Sequence, residues 1–365
     1  MSTLPTPPLS TLYLYLTDGC NLACRHCWLA PRFDPGRGVT EALSIEVLEG
    51  VLREARPLGL QRVKLTGGEP LLHPRIGDLL EVLRREELAL TVETNGTLLT
   101  EALAEAVARF PRRSVSVSID GTDAATHDGI RGVRGSFEAA QRAVRTLAAS
   151  ATPPQVVMSL VRRNADQVEP LVRMADSLGA SSVKFNVVQP IARGEALHGR
   201  GEALTVAELV ALGRRVETEL APSARLPLHF DYPPAFRTIS RMARGDGGGV
   251  CGILGILGVL AGGQYALCGI GGQVPDLVFG QAGEDRLEDV WNRHPRILEL
   301  RAGLPERLGG VCRRCLMKRS CLGCCVAQNE YQRDDLFAGF WFCEEAMREG
   351  VFPESRLAPD PGRAT

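Results

Sequence analysis

Three cysteines, Cys20, Cys24 and Cys27, stand close together near the start of the chain as C-x3-C-x2-C within DGCNLACRHCW. Three thiolates on one short loop can hold three irons of a 4Fe–4S cluster and leave the fourth iron open to another ligand. A zinc site is the competing chemistry, but zinc sites usually pair C-x2-C groups and close to four ligands. Here the fourth would have to be His26 or a distant residue. The remaining eight of the eleven cysteines all fall between Cys251 and Cys343. Cysteines serving only as core residues would not segregate in this way. Cys251 is followed by Gly263 and Cys268, then by Cys312, Cys315, Cys321 and Cys325 in the spacing C-x2-C-x5-C-x3-C, and Cys343 closes the series. Cys324 stands outside that spacing.

The rest of the chain narrows the setting. Its 365 residues are enough for two domains, and a hydrophobic share of 44% can bury a sizeable core. A formal charge of −1 argues against a nucleic-acid surface built on bulk charge. No N-terminal signal-peptide pattern is present, and the apolar stretch at residues 250–260 is too short and glycine-broken to span a membrane. The expectation is a cytoplasmic protein, where disulfides are disfavoured and cysteines serve metals or redox chemistry.

Something must position these thiols. Strand patterns at residues 12–17, 62–66, 89–94, 114–119, 156–161 and 182–188 alternate with helical patterns at 40–56, 76–86, 100–110, 136–149 and 165–178. Such alternation implies a parallel sheet with helices outside it. About six repeats in roughly 190 residues predict an α/β fold, a partial (β/α)6 TIM-type barrel with its chemistry at the C-terminal ends of the strands. Beyond it the expected divisions are a connecting helix and linker over 196–250, with a helix near 205–220, a loop-like stretch around Tyr232 and a glycine-rich boundary at 244–249. A cysteine-rich domain of short strands and loops follows over 251–350, then a flexible tail over 351–365. Metal clusters would supply stability that this small domain's core lacks.

Three further motifs fall at strand ends, Thr66-Gly67-Gly68-Glu69-Pro70, Glu93-Thr94-Asn95-Gly96 and Ser118-Ile119-Asp120-Gly121, with Arg131 following in HDGIRG. Together with the first cysteine group they resemble the radical S-adenosylmethionine (SAM) superfamily over the first 190 or so residues. The resemblance implies that SAM chelates the open iron, that one electron cleaves its sulfonium bond, and that the 5′-deoxyadenosyl radical takes a hydrogen atom from the substrate. It also implies that Gly67 and Gly68 allow close backbone approach and that Glu69 accepts from the methionine ammonium. Ser118 and Arg131 would bind ribose and carboxylate, Asn95 the adenosine portion, and His26 would pack on adenine.

The later cysteines resemble the SPASM domain, an auxiliary-cluster extension of some radical SAM enzymes. By that resemblance Cys312, Cys315, Cys321 and Cys343 bind an outer 4Fe–4S cluster, and Cys251, Cys268 and Cys325 an inner one, giving three clusters with the SAM-binding one. Cys324 is either the inner cluster's fourth ligand or leaves that cluster with an open iron. SPASM relatives mainly modify ribosomally made peptides, so a precursor peptide is the expected substrate and thioether formation the expected reaction. Side-chain modification of a haem-type molecule is the alternative. Sulfatase-type maturation fits less well, because those relatives carry an acidic residue where Gly269 follows Cys268. An electron donor such as flavodoxin or ferredoxin is an implied partner. Leader recognition is expected to use a separate protein, or the barrel and SPASM surfaces, because only eleven residues precede the first strand. Asp231 and Tyr232 are candidate substrate contacts near the domain junction.

Overall fold

A computed structural model describes residues 6–33, 41–243 and 251–359. Thr40, the glycine-rich run 244–249 and the end of the expected tail lie outside these residues. The element order is β1 (Thr11–Tyr15), α1 (Ile45–Ala55), β2 (Arg62–Thr66), α2 (Ile76–Arg85), β3 (Ala89–Thr94), α3 (Glu101–Ala108), β4 (Arg113–Ser118), α4 (Ala124–Arg131), α5 (Ser136–Ala149), β5 (Gln155–Leu160), α6 (Val168–Ser177) and β6 (Ser182–Val187). These six strands pair in parallel and in chain order. The α/β partial barrel expected from the alternation is therefore present.

Strand composition explains which face is the lumen. Along β4, Val115 and Val117 are buried against the helices, while Ser116 and Ser118 point the other way. Along β5 the pairs are Val156 and Met158 against Gln155, Val157 and Ser159, and along β6 Val183 and Phe185 against Lys184 and Asn186. Successive strand side chains face opposite sides, so a period of two puts the apolar set under the helices and a mainly polar set inside the barrel. Helix starts are fixed by side-chain caps. Ser44, Thr100 and Asp123 accept from the backbone N–H groups of Val47, Leu103 and Thr126, each worth about 1 kcal/mol. Thr205 and Glu208 form a reciprocal capping box at α8 (Val206–Arg215).

The sheet is wider than six strands. β7 (Leu228–Asp231) adds in parallel beside β6, in a stretch expected to lead into loop. On the other edge β8 (Ile256–Val259) pairs in parallel with β1, and β9 (Gln264–Ala266) and β10 (Val278–Gln281) follow antiparallel. The ten-stranded order is thus β10-β9-β8-β1-β2-β3-β4-β5-β6-β7. One cluster of buried apolar side chains runs from Leu12 and Val117 to Trp291, Phe340 and Phe342, so the cysteine-rich region shares the core of the barrel.

Two expectations about local structure need correction. α4 and α7 (Arg193–Gly199) lie where no helix was expected, because both are short and lack a long apolar repeat. The region after Cys251 is largely helical rather than short strands and loops: α9 (Leu287–Arg293), α10 (Pro295–Gly303), α11 (Gly310–Arg314), α12 (Lys318–Cys321), α13 (Val326–Arg333) and α14 (Trp341–Arg348). Glycines and cysteines between these helices break up the apolar period that would reveal them. The helix expected near 205–220 is present, as α8 to Arg215 and then as wider turns to Leu220.

The turn after β2 depends on glycine for a close approach of backbone to backbone. A Cβ on Gly68 would sit 1.7 Å from the Gly19 carbonyl oxygen, and Gly67 has φ +125° with Thr17 O 3.0 Å from its would-be Cβ. The two glycines therefore let this turn seat against the loop that carries Cys20. Gly68→Ala should displace that loop and lower stability by about 1–3 kcal/mol. The denaturation midpoint of the metal-free chain and the iron retained after reconstitution measure this, and both should fall relative to the parent protein.

Candidate active site

All ten N-terminal residues singled out above, Cys20, Cys24, His26, Cys27, Gly67, Gly68, Glu69, Asn95, Ser118 and Arg131, line one open cavity at the C-terminal end of the barrel strands. Its empty space is about 1060 Å³, solvent at the mouth included. The strand ends bring together motifs separated by more than a hundred residues.

Behind the cysteine loop sits a buried ion pair. Asp120 is fully buried and Arg131 is 7% exposed, with Arg131 Nε 2.6 Å from Asp120 Oδ2, though not aligned as a hydrogen bond. Arg131 Nη1 donates to Cys24 Sγ at 3.6 Å. Asp120 Oδ1 accepts from Ser159 N, and fully buried Asn164 donates to the Asp120 and Ser159 carbonyls. Burial opposes ionisation of both partners, but mutual attraction outweighs it: Asp120 is held below the usual carboxylate range and Arg131 above its ordinary value. The backbone of α4 repeats the clamp, since Ala23 N donates to Arg131 O and Arg25 N to Ile130 O. Arg131, which as a loop residue would have been a surface charge, is thus an internal support of the thiols.

Glu69 and Asn95 are tied down as well. Glu69, 1% exposed, accepts from Leu71 N, Thr94 Oγ1 and Asn95 N. Burial raises its carboxyl to about 6, against those hydrogen bonds. Asn95 Nδ2 donates to Asn21 Oδ1 and lies 3.9 Å from Cys20 Sγ, while its Oδ1 accepts from Thr97. Its amide is engaged within the protein and orients the loop. His26 Nε2 lies 3.7 Å from Asp120 Oδ2, and its buried Nδ1 has no hydrogen-bond partner. Burial lowers its pKa to about 4, so the ring is neutral at pH 7. Burial first, then Glu69, pushes the Cys20 thiol up to about 12, and burial also raises Cys24 against the pull of Arg131.

These residues fit an iron–sulfur cluster and SAM. The donor set is three free thiols on one wall, the nearby His26 Nδ1 is an orphaned polar atom, and the Arg131 guanidinium borders the space. Thiols held protonated by burial become thiolates when a metal coordinates them. Among the described residues no three His, Cys, Asp or Glu side chains converge as ligands of a single ion.

The later cysteines fall into two neighbourhoods, and all are free. Cys343 is in thiol contact with Cys312 and within electrostatic reach of Cys315 and Cys321. Cys268 is likewise close to Cys325 and Cys251. A second cavity, with about 650 Å³ of empty space, solvent at the mouth included, is lined by Cys251, Cys321, Cys324, Cys325, Asp231 and Tyr232, among others. Asp231 pairs at 3.1 Å with Lys184, which lines the first cavity, so one ion pair joins the two walls. The sequence reading missed Asp120, Asn164, Glu93, Lys184 and Asn186. For Glu93, Lys184 and Asn186 the available signal was polar residues at alternate positions of otherwise apolar parallel strands.

The parallel partial barrel brings three free thiols to its strand ends. Residues 14–175 match the Radical SAM superfamily, and this match together with the relatives supports an enzyme that uses SAM radical chemistry. It is 27% identical to the AdoMet-dependent heme synthase of Methanosarcina barkeri, over 85% of this chain and 89% of that protein. It is 28% identical to the PqqA peptide cyclase of Gluconobacter oxydans, over 89% of this chain and 87% of the cyclase. The crystal structure of Streptococcus suis SuiB bound to S-adenosylmethionine shares the fold, with a TM-score of 0.72 at 19% identity, covering 93% of this chain and 78% of SuiB. Among the described residues no helix is long and apolar enough to cross a membrane.

Removing the charge of Asp120 should be costly. Asp120→Asn leaves Arg131 buried and unpaired, with an expected loss of about 3–5 kcal/mol, whereas Asp120→Asn/Arg131→Met should recover a large part of it. Denaturant unfolding of the metal-free variants checks both. Equal midpoints for Asp120→Asn and the parent would contradict the role given to the pair.

Proposed function

We propose that the enzyme modifies a ribosomally made precursor peptide, with thioether formation as the reaction. The observation that carries this is the cavity bordered by Cys251, Cys321, Cys324 and Cys325, joined by the Lys184–Asp231 pair to the cavity of the first cysteine group. A substrate side chain that crosses this junction meets both thiol groups. The similarity to a peptide cyclase supports a peptide substrate. The similarity to heme synthases favours a second reading, modification of a tetrapyrrole side chain. Sulfatase-type maturation is the third, disfavoured by the Gly269 position, where a Cβ would meet the Tyr15 ring at 2.3 Å.

Cys20, Cys24 and Cys27 hold the SAM-binding 4Fe–4S cluster in this reading. His26, Gly67, Gly68, Glu69, Asn95, Ser118 and Arg131 form the SAM cavity. Cys312, Cys315, Cys321 and Cys343 hold an outer auxiliary cluster, and Cys251, Cys268 and Cys325 an inner one, as in a SPASM domain. When bound, the reduced cluster and SAM supply a 5′-deoxyadenosyl radical that abstracts a hydrogen atom from the substrate. Arg131 balances the charge of Cys24 and holds the loop, Glu69 and Asn95 keep the turn and the loop in register, and neutral His26 offers a flat face without a competing charge. The division of labour is residues 1–195 for the radical, 196–250 as connection, 251–350 for the auxiliary clusters and 351–365 as tail. A low-potential donor such as flavodoxin or ferredoxin supplies the electron, a separate leader-binding protein delivers the peptide, and the enzyme works in the cytoplasm.

Anaerobic reconstitution should yield about twelve irons per chain, as three 4Fe–4S clusters require. The reduced protein should convert SAM to 5′-deoxyadenosine, and Cys24→Ala should abolish this. Ser118→Ala should weaken SAM binding about tenfold, about 1.4 kcal/mol. Incubation with a cysteine-containing precursor peptide should remove two hydrogens from its mass. Activity on tetrapyrroles alone would overturn the peptide reading, and SAM left intact would overturn the radical one.

A further inference from the structure

A third cavity lies on the other side of the first cysteine loop. It has about 640 Å³ of empty space, solvent at the mouth included, and its lining includes Arg25, Ile130, Arg162, Arg163, Leu197 and Glu202. Chain neighbours face opposite ways here. Cys24 and His26 border the first cavity and Arg25 this one, while Arg131 borders the first and Ile130 this one. The two segments are joined edge to edge, because Ala23 N donates to Arg131 O and Arg25 N to Ile130 O. The cysteine loop and the end of α4 are thus the wall between the cavities. α7 is anchored on the same loop, with Arg193 donating to the carbonyls of Cys24 and Pro31. Its Leu197 packs with Ile130 and Val161 into an apolar floor. The rim is basic. Arg25 and Arg200 share Glu202, each at 2.7 Å, and Arg162 pairs with Glu208 at 2.7 Å. Arg163 is exposed, donates to the Ala125 carbonyl and has no carboxylate partner among the described residues. Four guanidinium groups therefore stand against two carboxylates.

We propose that this cavity is the docking surface of an acidic flavin carrier, a flavodoxin, which passes one electron through the wall to the first cysteine group. This rests on the reading of Cys20, Cys24 and Cys27 as ligands of the SAM-binding cluster. A carrier seated here does not compete with SAM and substrate, which occupy the first cavity in that reading. Between it and Cys24 stand only the loop and the end of α4. The excess of positive charge suits a carrier with a negative surface. An apolar floor inside a charged rim suits the apolar dimethylbenzene edge of a flavin. The step is a single electron: the flavin hydroquinone becomes the semiquinone, the cluster is reduced by one, and no atom changes hands.

Calorimetric binding of oxidised flavodoxin to the anaerobically reconstituted full chain tests the surface without turnover. Arg163→Glu/Arg200→Glu should raise Kd about tenfold at low salt, and Arg163→Lys should change it by less than about twofold. Added salt should weaken binding to the parent chain and shrink the difference. SAM cleavage tests the route. With limiting reduced flavodoxin the double variant should form 5′-deoxyadenosine about tenfold more slowly than the parent. With the methyl viologen radical, a small diffusing reductant, the two should be equally fast. An unchanged flavodoxin Kd in the double variant overturns the docking surface. Equal losses with both reductants make these arginines supports of the loop and overturn it too. A ferredoxin of similar charge that binds as tightly as flavodoxin overturns the flavin assignment. Loss of affinity for a precursor peptide, with flavodoxin binding intact, makes the cavity a peptide site instead. A parent chain that binds flavodoxin but cleaves no SAM with either reductant defeats the radical reading and not the surface.

Discussion

The site depends on a guanidinium and a carboxylate buried together behind three thiols. Asp120 is fully buried and Arg131 nearly so, and their mutual attraction offsets the burial that opposes ionisation of each. That pair joins the end of β4, the N–H of Ser159 on β5, the last residue of α4 and Cys24. The cysteine loop has little secondary structure of its own beyond a two-residue ladder between Gly19–Cys20 and Arg32–Phe33. Its shape is imposed by what it is bonded to. Arg131 and α4 hold one side, the Gly67–Gly68 turn holds another, and Asn95 with Asn21 and Thr97 holds the third.

A loop held this way carries buried thiols that stay protonated until a metal coordinates them. Burial raises Cys20 and Cys24, so the loop stores little negative charge until a cation arrives. The same logic applies to the later cysteines, where burial raises Cys251 to about 11 and Cys325 to about 12. Both thiol regions hang on one sheet, because β8 adds to β1 directly and carries the chain into the region of Cys268. Trp341 donating to Gln189 and Gln332 donating to the Pro190 carbonyl bind the other end of the cysteine-rich region to the barrel. The distance between the two cavities is therefore set by packing, not by a linker.

How much of this could be read from the chain alone varied with the physics involved. β2, α2, β3 and α5 lie within a residue of their expected limits, because strong amphipathic periods of two and 3.6 specify them. The residues of the first cavity were legible because their motifs sit at strand ends, and a parallel barrel gathers its strand ends on one face. Asp120 was not singled out, since a carboxylate in a turn looks the same whether it faces water or a buried arginine. α4 escaped for a related reason: AATHDGIR has no apolar stripe, and tertiary bonds to Asp123, Asp128 and Arg131 supply what periodicity does not. The extension of the sheet by β7 and β8 was also hidden, because four-residue strands next to prolines and glycines carry little pattern.

The central claim is that Cys20, Cys24 and Cys27 hold a cluster whose remaining iron is free for SAM. EPR of the reduced protein with and without SAM tests it most directly. The account predicts that SAM shifts one set of g-values, and that this set is missing from the chain in which all three cysteines are alanine. A spectrum indifferent to SAM, or the SAM-sensitive signal surviving in that triple variant, would contradict it.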